Sequence, residues 1–316
     1  MASIGQQQVS KTAGYSLASV DGALGIEIRD IDLRRLDDRD FKSVYDLWLE
    51  NVLVVCRNQS LDLADLVALA RRFGTPVSSS RMHGRRLTER ASHDVYDLPP
   101  EITMISNLTE GGRALGALGD ADVVWHSDFS FKEKPTAARM LMAAEVPPAS
   151  ADGTTYFLNC YAAYAALSDA QKKRIVGKTI KQTDIYDATM KLRPGAAPVS
   201  DLREAPGPSH PIISTHPETG ANLLFLGRRH GACVNGCSIE ESEALLDELW
   251  AHCTQPRFTY AHQWAVGDVV IWDNRATLHR RDSFDPTKRR VLYAAQVEGH
   301  RPFEAPDALS RQAHPR

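Results

Sequence analysis

No stretch of this sequence stays apolar long enough to cross a bilayer. The first residues, Met1 to Lys11, are polar and lack the apolar segment of a secretory signal. The five cysteines, Cys56, Cys160, Cys233, Cys237 and Cys253, are odd in number and scattered, so they form no disulfide framework. Cys233 and Cys237 stand too isolated for a zinc ribbon. These absences together point to a reducing cytoplasm. An excess of charge of one sign is missing too: 37 basic residues face 40 acidic ones, so neither nucleic acid nor a membrane is an expected partner. Basic residues gather only locally, at Arg81, Arg85, Arg86 and Arg90 and at Arg280, Arg281, Lys288, Arg289 and Arg290, and are read first as solvated faces. No glycine-rich loop follows a strand-like run, which weakens any nucleotide-binding reading. There is no internal repeat and no low-complexity linker.

What is present is a chain long enough for one large domain or two small ones. Short runs rich in Val, Ile, Leu, Thr and aromatics predict strands at 24–28, 52–56, 102–106, 123–129, 139–144, 155–158, 211–215, 223–226, 258–262, 269–272 and 291–297. Leu63, Leu66, Val67, Ala70 and Phe73 form an apolar stripe at helical spacing. Ser238 with Glu241, and Ser168 with Gln171, have the spacing of helix capping boxes. Two stretches, about 75–100 and 192–209, read as long loops. Many strands with few flanking helices, not alternating with them, imply a β-rich sandwich or barrel.

The chemistry centres on Val123-Val124-Trp125-His126-Ser127-Asp128-Phe129. On a strand, His126 and Asp128 share a face and offer a nitrogen and an oxygen to a cation that would compensate a buried carboxylate. His-x-Asp alone is common, so the reading needs a third ligand. His279, after the apolar run 269–272 and the turn signal Asp273-Asn274, is the best placed of the remaining histidines. Two histidines and one carboxylate on one face of an ion leave positions open, the arrangement that suits non-haem iron(II) oxygenases; a closed four-ligand site could not admit O₂ and a bidentate co-substrate together. Arg290, eleven residues after His279, is a candidate grip for the far carboxylate of a keto acid.

These residues resemble those of the taurine dioxygenase / 2,4-dichlorophenoxyacetate dioxygenase (TauD/TfdA) family. Leu24-Gly25-Ile26-Glu27 with Ile31-Asp32-Leu33, residues 52–59 and Phe73-Gly74 fit its N-terminal part. Trp125-His126-Ser127-Asp128 and Trp272-Asp273-Asn274-Arg275 with His279 are its most specific marks. The resemblance spans roughly residues 15–300. It implies a double-stranded β-helix (a cupin-like jelly roll) with flanking helices, as one domain over 15–303 between tails at 1–14 and 304–316. It implies Fe(II) on His126, Asp128 and His279, and 2-oxoglutarate held by Arg290 and Thr155, with Thr154 as the neighbouring alternative. It implies hydroxylation of a small organic molecule by O₂ with release of succinate and CO₂, in a homo-oligomer, dimer or tetramer. Related halogenases lack the carboxylate at the position of Asp128, so its presence argues for hydroxylation.

The chain departs from the pattern at Ala294, four residues beyond Arg290, where taurine dioxygenases carry an arginine for the sulfonate; Ala295 offers no replacement. Ser79 stands where a histidine is expected. Taurine is therefore disfavoured. Either the substrate is neutral or aromatic, or an arginine elsewhere reads its charge, with Arg81, Arg85, Arg228 and Arg229 as candidates. The segment from Leu223 to Gly231 is expected to line the substrate side. An aromatic or aryloxy acid, with ether cleavage where the hydroxylated carbon bears oxygen, is the leading substrate class. The competing readings are a cupin-type metalloenzyme that needs no keto acid, and a non-catalytic small-molecule-binding protein on the same fold.

Overall fold

The apolar runs around 53–56, 138–143 and 269–272 are continuous because the strands they form are covered on both sides. The computed structural model describes residues 10–12, 14–78, 98–151, 153–193, 195–311 and 314. In it Leu53–Cys56, Val269–Asp273, Ala138–Glu145 and Val291–Gln296 lie side by side at the centre of a nine-stranded sheet. Leu53, Leu141, Trp272 and Ala294 turn into the space facing a second sheet. Their neighbours Val54, Met140, Ile271 and Ala295 turn the other way, towards two helices.

Ser10–Thr12, Tyr15–Ser19 and Ile26–Arg29 extend the large sheet on one side, and Thr103–Ser106 and Ala117–Leu118 extend it on the other. The second sheet has four strands, in the order Thr259–His262, Thr155–Asn159, Thr277–Arg281 and Val123–His126. From residue 259 onward the chain passes alternately between the two sheets, as 259–262, 269–273, 277–281 and 291–296. This is the double-stranded β-helix that the family resemblance implied.

Both expected capping boxes are present, each with its two reciprocal hydrogen bonds. They open the helices Asp169–Ile175 and Ile239–Cys253. A third box, from Asp62 and Asp65, opens the expected helix Leu63–Phe73. The helix Asp38–Asn51 was not anticipated. Its apolar stripe of Phe41, Val44, Tyr45 and Trp48 is interleaved with six charged residues, which hid the period. Trp48 packs edge-on against Phe73 of the second helix, with ring centroids 5.3 Å apart.

The expected strand at 211–215 is two strands, Ser209–Pro211 and Ile213–Thr215. Ile212 between them faces both ways, donating its N–H to Lys178 and accepting at its carbonyl from Phe225. Tyr15–Ser19, Thr179–Gln182, Ala232–Val234 and Thr277–Arg281 were not anticipated. Beyond residue 303, Ala305 and Ala308 are buried, and Ala308 accepts a hydrogen bond from Asn222. No described helix is long and apolar enough to cross a membrane.

Trp48 is 1% exposed and joins both outer helices to the large sheet. Trp48→Ala is expected to cost about 3–5 kcal/mol, the usual range for emptying such a site. Urea unfolding followed by fluorescence would measure it, and a loss below about 1 kcal/mol would show that the helices contribute little to holding the sheet.

Candidate active site

The site begins with a turn. Val269–Asp273 belongs to the large sheet and Thr277–Arg281 to the small one, so Asn274, Arg275 and Ala276 must carry the chain across. Asp273 caps this turn, accepting from the backbone N–H of Arg275 at 2.9 Å and from its side chain at 2.8 and 2.6 Å. His216 lies 3.0 Å from the same carboxylate. Burial alone would raise the Asp273 carboxyl; Arg275 and His216 outweigh it and hold it below the usual carboxylate range.

Asn274, fully buried, uses all its polar groups. Its Oδ1 accepts from the Asp128 N–H at 2.9 Å, and its Nδ2 donates to the carbonyls of Asp128 (2.9 Å) and Thr136 (3.0 Å). Its own carbonyl accepts from Ser127 Oγ at 2.9 Å. The segment carrying His-x-Asp is thereby fastened to the turn that introduces His279.

The strand expected at 123–129 stops at His126. Asp128 lies in the turn that follows, and Phe129 adopts a left-handed φ of 57°. His126 and Asp128 therefore converge through a turn held by Asn274 and not through strand alternation. Register brings in the third residue: Phe157, His279 and His126 pair in one row across three adjacent strands. His279 lies within a strand rather than at a strand exit.

His126 Nε2 is 3.5 Å and His279 Nε2 3.6 Å from the Asp128 carboxylate oxygens. One ligand atom from each of the three residues lies within 4.8 Å of the other two, and all three residues are buried. His126 Nδ1 donates to the Val124 carbonyl at 2.8 Å, which leaves Nε2 as a lone-pair donor facing the centre. Burial, then the neighbouring His126, keeps His279 neutral. Burial would also raise the Asp128 carboxyl, but Arg139, His279 and His126 together hold it far below its ordinary value. Asp128 Oδ2 has no hydrogen-bond partner: Arg139 Nη1 is 2.7 Å away, close in charge but not aligned to donate. Two imidazole nitrogens facing a carboxylate oxygen that has no hydrogen-bond partner fit a divalent cation.

A second polar pocket lies along the same inner face. Thr155 pairs directly with Arg281, two residues along from the His279 row and so on the same face. Arg281 and Arg290 are 5% and 2% exposed, and both stand over the Phe284 ring, their guanidinium carbons 5.2 and 5.7 Å from its centroid. Arg281 Nη2 donates to the carbonyls of Leu118 and Ala121, but its Nε and Nη1, and Nε of Arg290, are buried without partners. Among the described residues neither has a carboxylate within ion-pair reach. Burial, then the charge of Arg281, pulls the Arg290 guanidinium down to about 9; burial pulls Arg281 down to about 10. Thr155 Oγ1 accepts from Trp264 Nε1 at 2.8 Å, which leaves its own O–H to donate. Thr154 Oγ1 likewise accepts, from Gln263 Nε2 at 2.7 Å, so the two threonines differ in place and not in hydrogen-bonding capacity: Thr155 is the one in register with Arg281. The pocket fits an anion.

Of the arginines considered for substrate, Arg228 is buried and bridges through its backbone to His126, but its guanidinium donates to the carbonyls of Thr183 and His230. Arg229 faces the helix Ile239–Cys253, where it pairs with Glu243 and Asp247. Arg81, Arg85 and Ser79 lie outside the described residues. Sequence reasoning missed Arg139 and took Arg281 for part of a solvated face. The signal for Arg139 was there: it is the only charge in the run Ala137 to Ala144.

The family model described as "Taurine catabolism dioxygenase TauD, TfdA family" matches residues 16–296. The chain is 34% identical over 292 residues to an alpha-ketoglutarate-dependent 2,4-dichlorophenoxyacetate dioxygenase of Burkholderia sp. (strain RASC), covering 90% of each chain. It is 30% identical to an (S)-phenoxypropionate/alpha-ketoglutarate-dioxygenase of Sphingobium herbicidovorans, covering 90% of this chain and 95% of that one. A solved taurine dioxygenase from Burkholderia xenovorans superposes with a TM-score of 0.71 at 26% identity, over 93% of this chain and 94% of that one.

Asn274→Ala should leave the barrel folded but release the Asp128 segment. Affinity for Mn(II), measured by calorimetric titration, is expected to fall about 10–100-fold, the cost typical of losing a group that orients a ligand. An unchanged affinity would show that the turn holds itself.

Proposed function

The chain belongs to the TauD/TfdA family of Fe(II)- and 2-oxoglutarate-dependent dioxygenases, and from that membership we propose that His126, Asp128 and His279 hold the iron while Arg290, Arg281 and Thr155 hold the co-substrate. The observation that carries the assignment is the pairing of two unlike sites on one inner face: three metal-ligand atoms within 4.8 Å, and two buried guanidiniums without a counter-ion among the described residues. A keto acid with a second carboxylate answers both.

Fe(II), 2-oxoglutarate and O₂, when bound, supply oxidative decarboxylation to succinate and CO₂ coupled to substrate hydroxylation. His126 presents Nε2 because its Nδ1 proton is committed to Val124. Asp128 stays ionised at every physiological pH, with its backbone pinned by Asn274. Arg290 and Arg281 neutralise the distal carboxylate, and Thr155 adds an O–H donor that Trp264 orients. Phe157 and Trp272, with ring centroids 6.2 and 5.0 Å from His279, cover the imidazole and exclude water.

The substrate in this reading is a small organic molecule, with an aromatic or aryloxy acid as leading class. Curated relatives named for 2,4-dichlorophenoxyacetate and (S)-phenoxypropionate support it. Hydroxylation next to an ether oxygen would cleave the ether. Ala294 disfavours taurine. We further propose a cytoplasmic homo-oligomer, supported by five unbridged cysteines and by the exposed apolar side chains Phe303 and Leu309.

Anaerobic addition of Fe(II) and 2-oxoglutarate to the apoprotein should produce a weak visible charge-transfer band. His126→Ala, Asp128→Ala or His279→Ala should remove the band and the turnover while circular dichroism stays unchanged. Arg290→Ala should weaken 2-oxoglutarate about 100-fold and Arg281→Ala about tenfold, as truncating buried charged partners does. A folded, metal-loaded protein without the band would favour the metalloenzyme that needs no keto acid.

A further inference from the structure

Arg139 is a charge inside the otherwise apolar strand Ala138–Glu145. It points inward in step with Leu141, and is 9% exposed. Across the strand pair it faces Gln296, while Leu141 faces Ala294. Arg139 is thus the diagonal neighbour of Ala294 on the same face, a separation of roughly 7–8 Å that a long side chain spans. At 294 the wall offers only a methyl group. The cation that the sequence lacks there is found on the adjoining strand.

Its donors are only partly spent. Nη1 lies 2.7 Å from Asp128 Oδ2 without hydrogen-bond alignment and donates weakly to Gln296 Oε1 at 3.4 Å. Nε is buried with no partner. The guanidinium carbon is 5.9 Å from the Trp272 ring, which also covers His279, so the group sits beside the metal triad. Charge balance leads to the same place. A divalent ion and Arg139 bring three positive charges, and imidazoles that coordinate a metal add none. Asp128 removes one and the chelating carboxylate of the keto acid a second. One positive charge is left in a buried space, where an uncompensated charge is costly.

We propose that Arg139 is the specificity-determining residue of this enzyme and grips the carboxylate of a small organic-acid substrate from the Ala138–Glu145 strand. The planar fork of a guanidinium matches a carboxylate with two parallel N–H donors. This assignment rests on the iron and 2-oxoglutarate reading and deepens it by fixing the substrate as an anion.

The test uses the protein loaded anaerobically with Fe(II) and 2-oxoglutarate, with 2,4-dichlorophenoxyacetate and its methyl ester as probes. Binding is read from perturbation of the visible band, which needs no turnover. The wild type should bind the acid at least about tenfold more tightly than the ester. Arg139→Gln, which keeps the bulk, should retain the band yet lose roughly 30-fold in acid affinity, with the ester unchanged. Adding Ala294→Arg to Arg139→Gln returns a cation to the same face and should recover part of the acid preference. Equal affinity of the wild type for acid and ester overturns the proposal, and so does a preference that survives in Arg139→Gln. Loss of the band itself in Arg139→Gln, without recovery in the double variant, would reduce Arg139 to a positioning residue for Asp128. Absence of the band in the wild type, seen before any probe is added, sinks the underlying reading and this proposal with it.

Discussion

A single buried negative charge organises this molecule. Asp128 is sealed inside a barrel where an isolated carboxylate would be strongly disfavoured. Two imidazoles and a guanidinium surround it, and Asn274 fixes its backbone from both sides. The protein thus keeps the carboxylate ionised without satisfying both of its oxygens. A carboxylate fully hydrogen-bonded within the protein would be more comfortable and less able to take a metal.

The two sheets divide the labour. The large sheet is covered on both faces and provides a rigid back wall. The small sheet supplies His126, His279, Thr155 and Arg281 from two rows that share a face, one pleat apart. Because side chains alternate with a period of two, a slip of one residue between Thr155–Asn159 and Thr277–Arg281 would point His279 and Arg281 out of the barrel together. The candidate metal position and the candidate anion pocket are therefore held in a common register, and the distance between them is set by the pleat of the sheet.

Much of this was legible in the sequence, for chemical reasons. His126, Asp128 and His279 stand in apolar surroundings that make their polarity conspicuous, and Arg290 opens an apolar strand. Capping boxes are local, so Ser168 and Ser238 marked their helices correctly. What stayed hidden depends on distant partners. The strand Thr277–Arg281 reads as a charged turn until Thr155–Asn159 lies beside it. Arg281 looks like one of a surface cluster, and only the sheet register shows it facing inward. Arg139 was visible as a lone charge, but its meaning depends on Asp128 across the barrel and on Ala294 on the next strand. The helix Asp38–Asn51 hid its apolar stripe among charges.

The fastening of Asp128 by Asn274 joins residues 146 positions apart in the chain. If His126, Asp128 and His279 are the ligands proposed above, the first two would emerge during synthesis long before the third, and before the clamp that orders them. A nascent chain with only His126 and Asp128 exposed offers a weak, unshaped chelate. The tight site arises only when the last strands have docked. On that reading, a partly made chain would lack the complete site that oxygen activation requires.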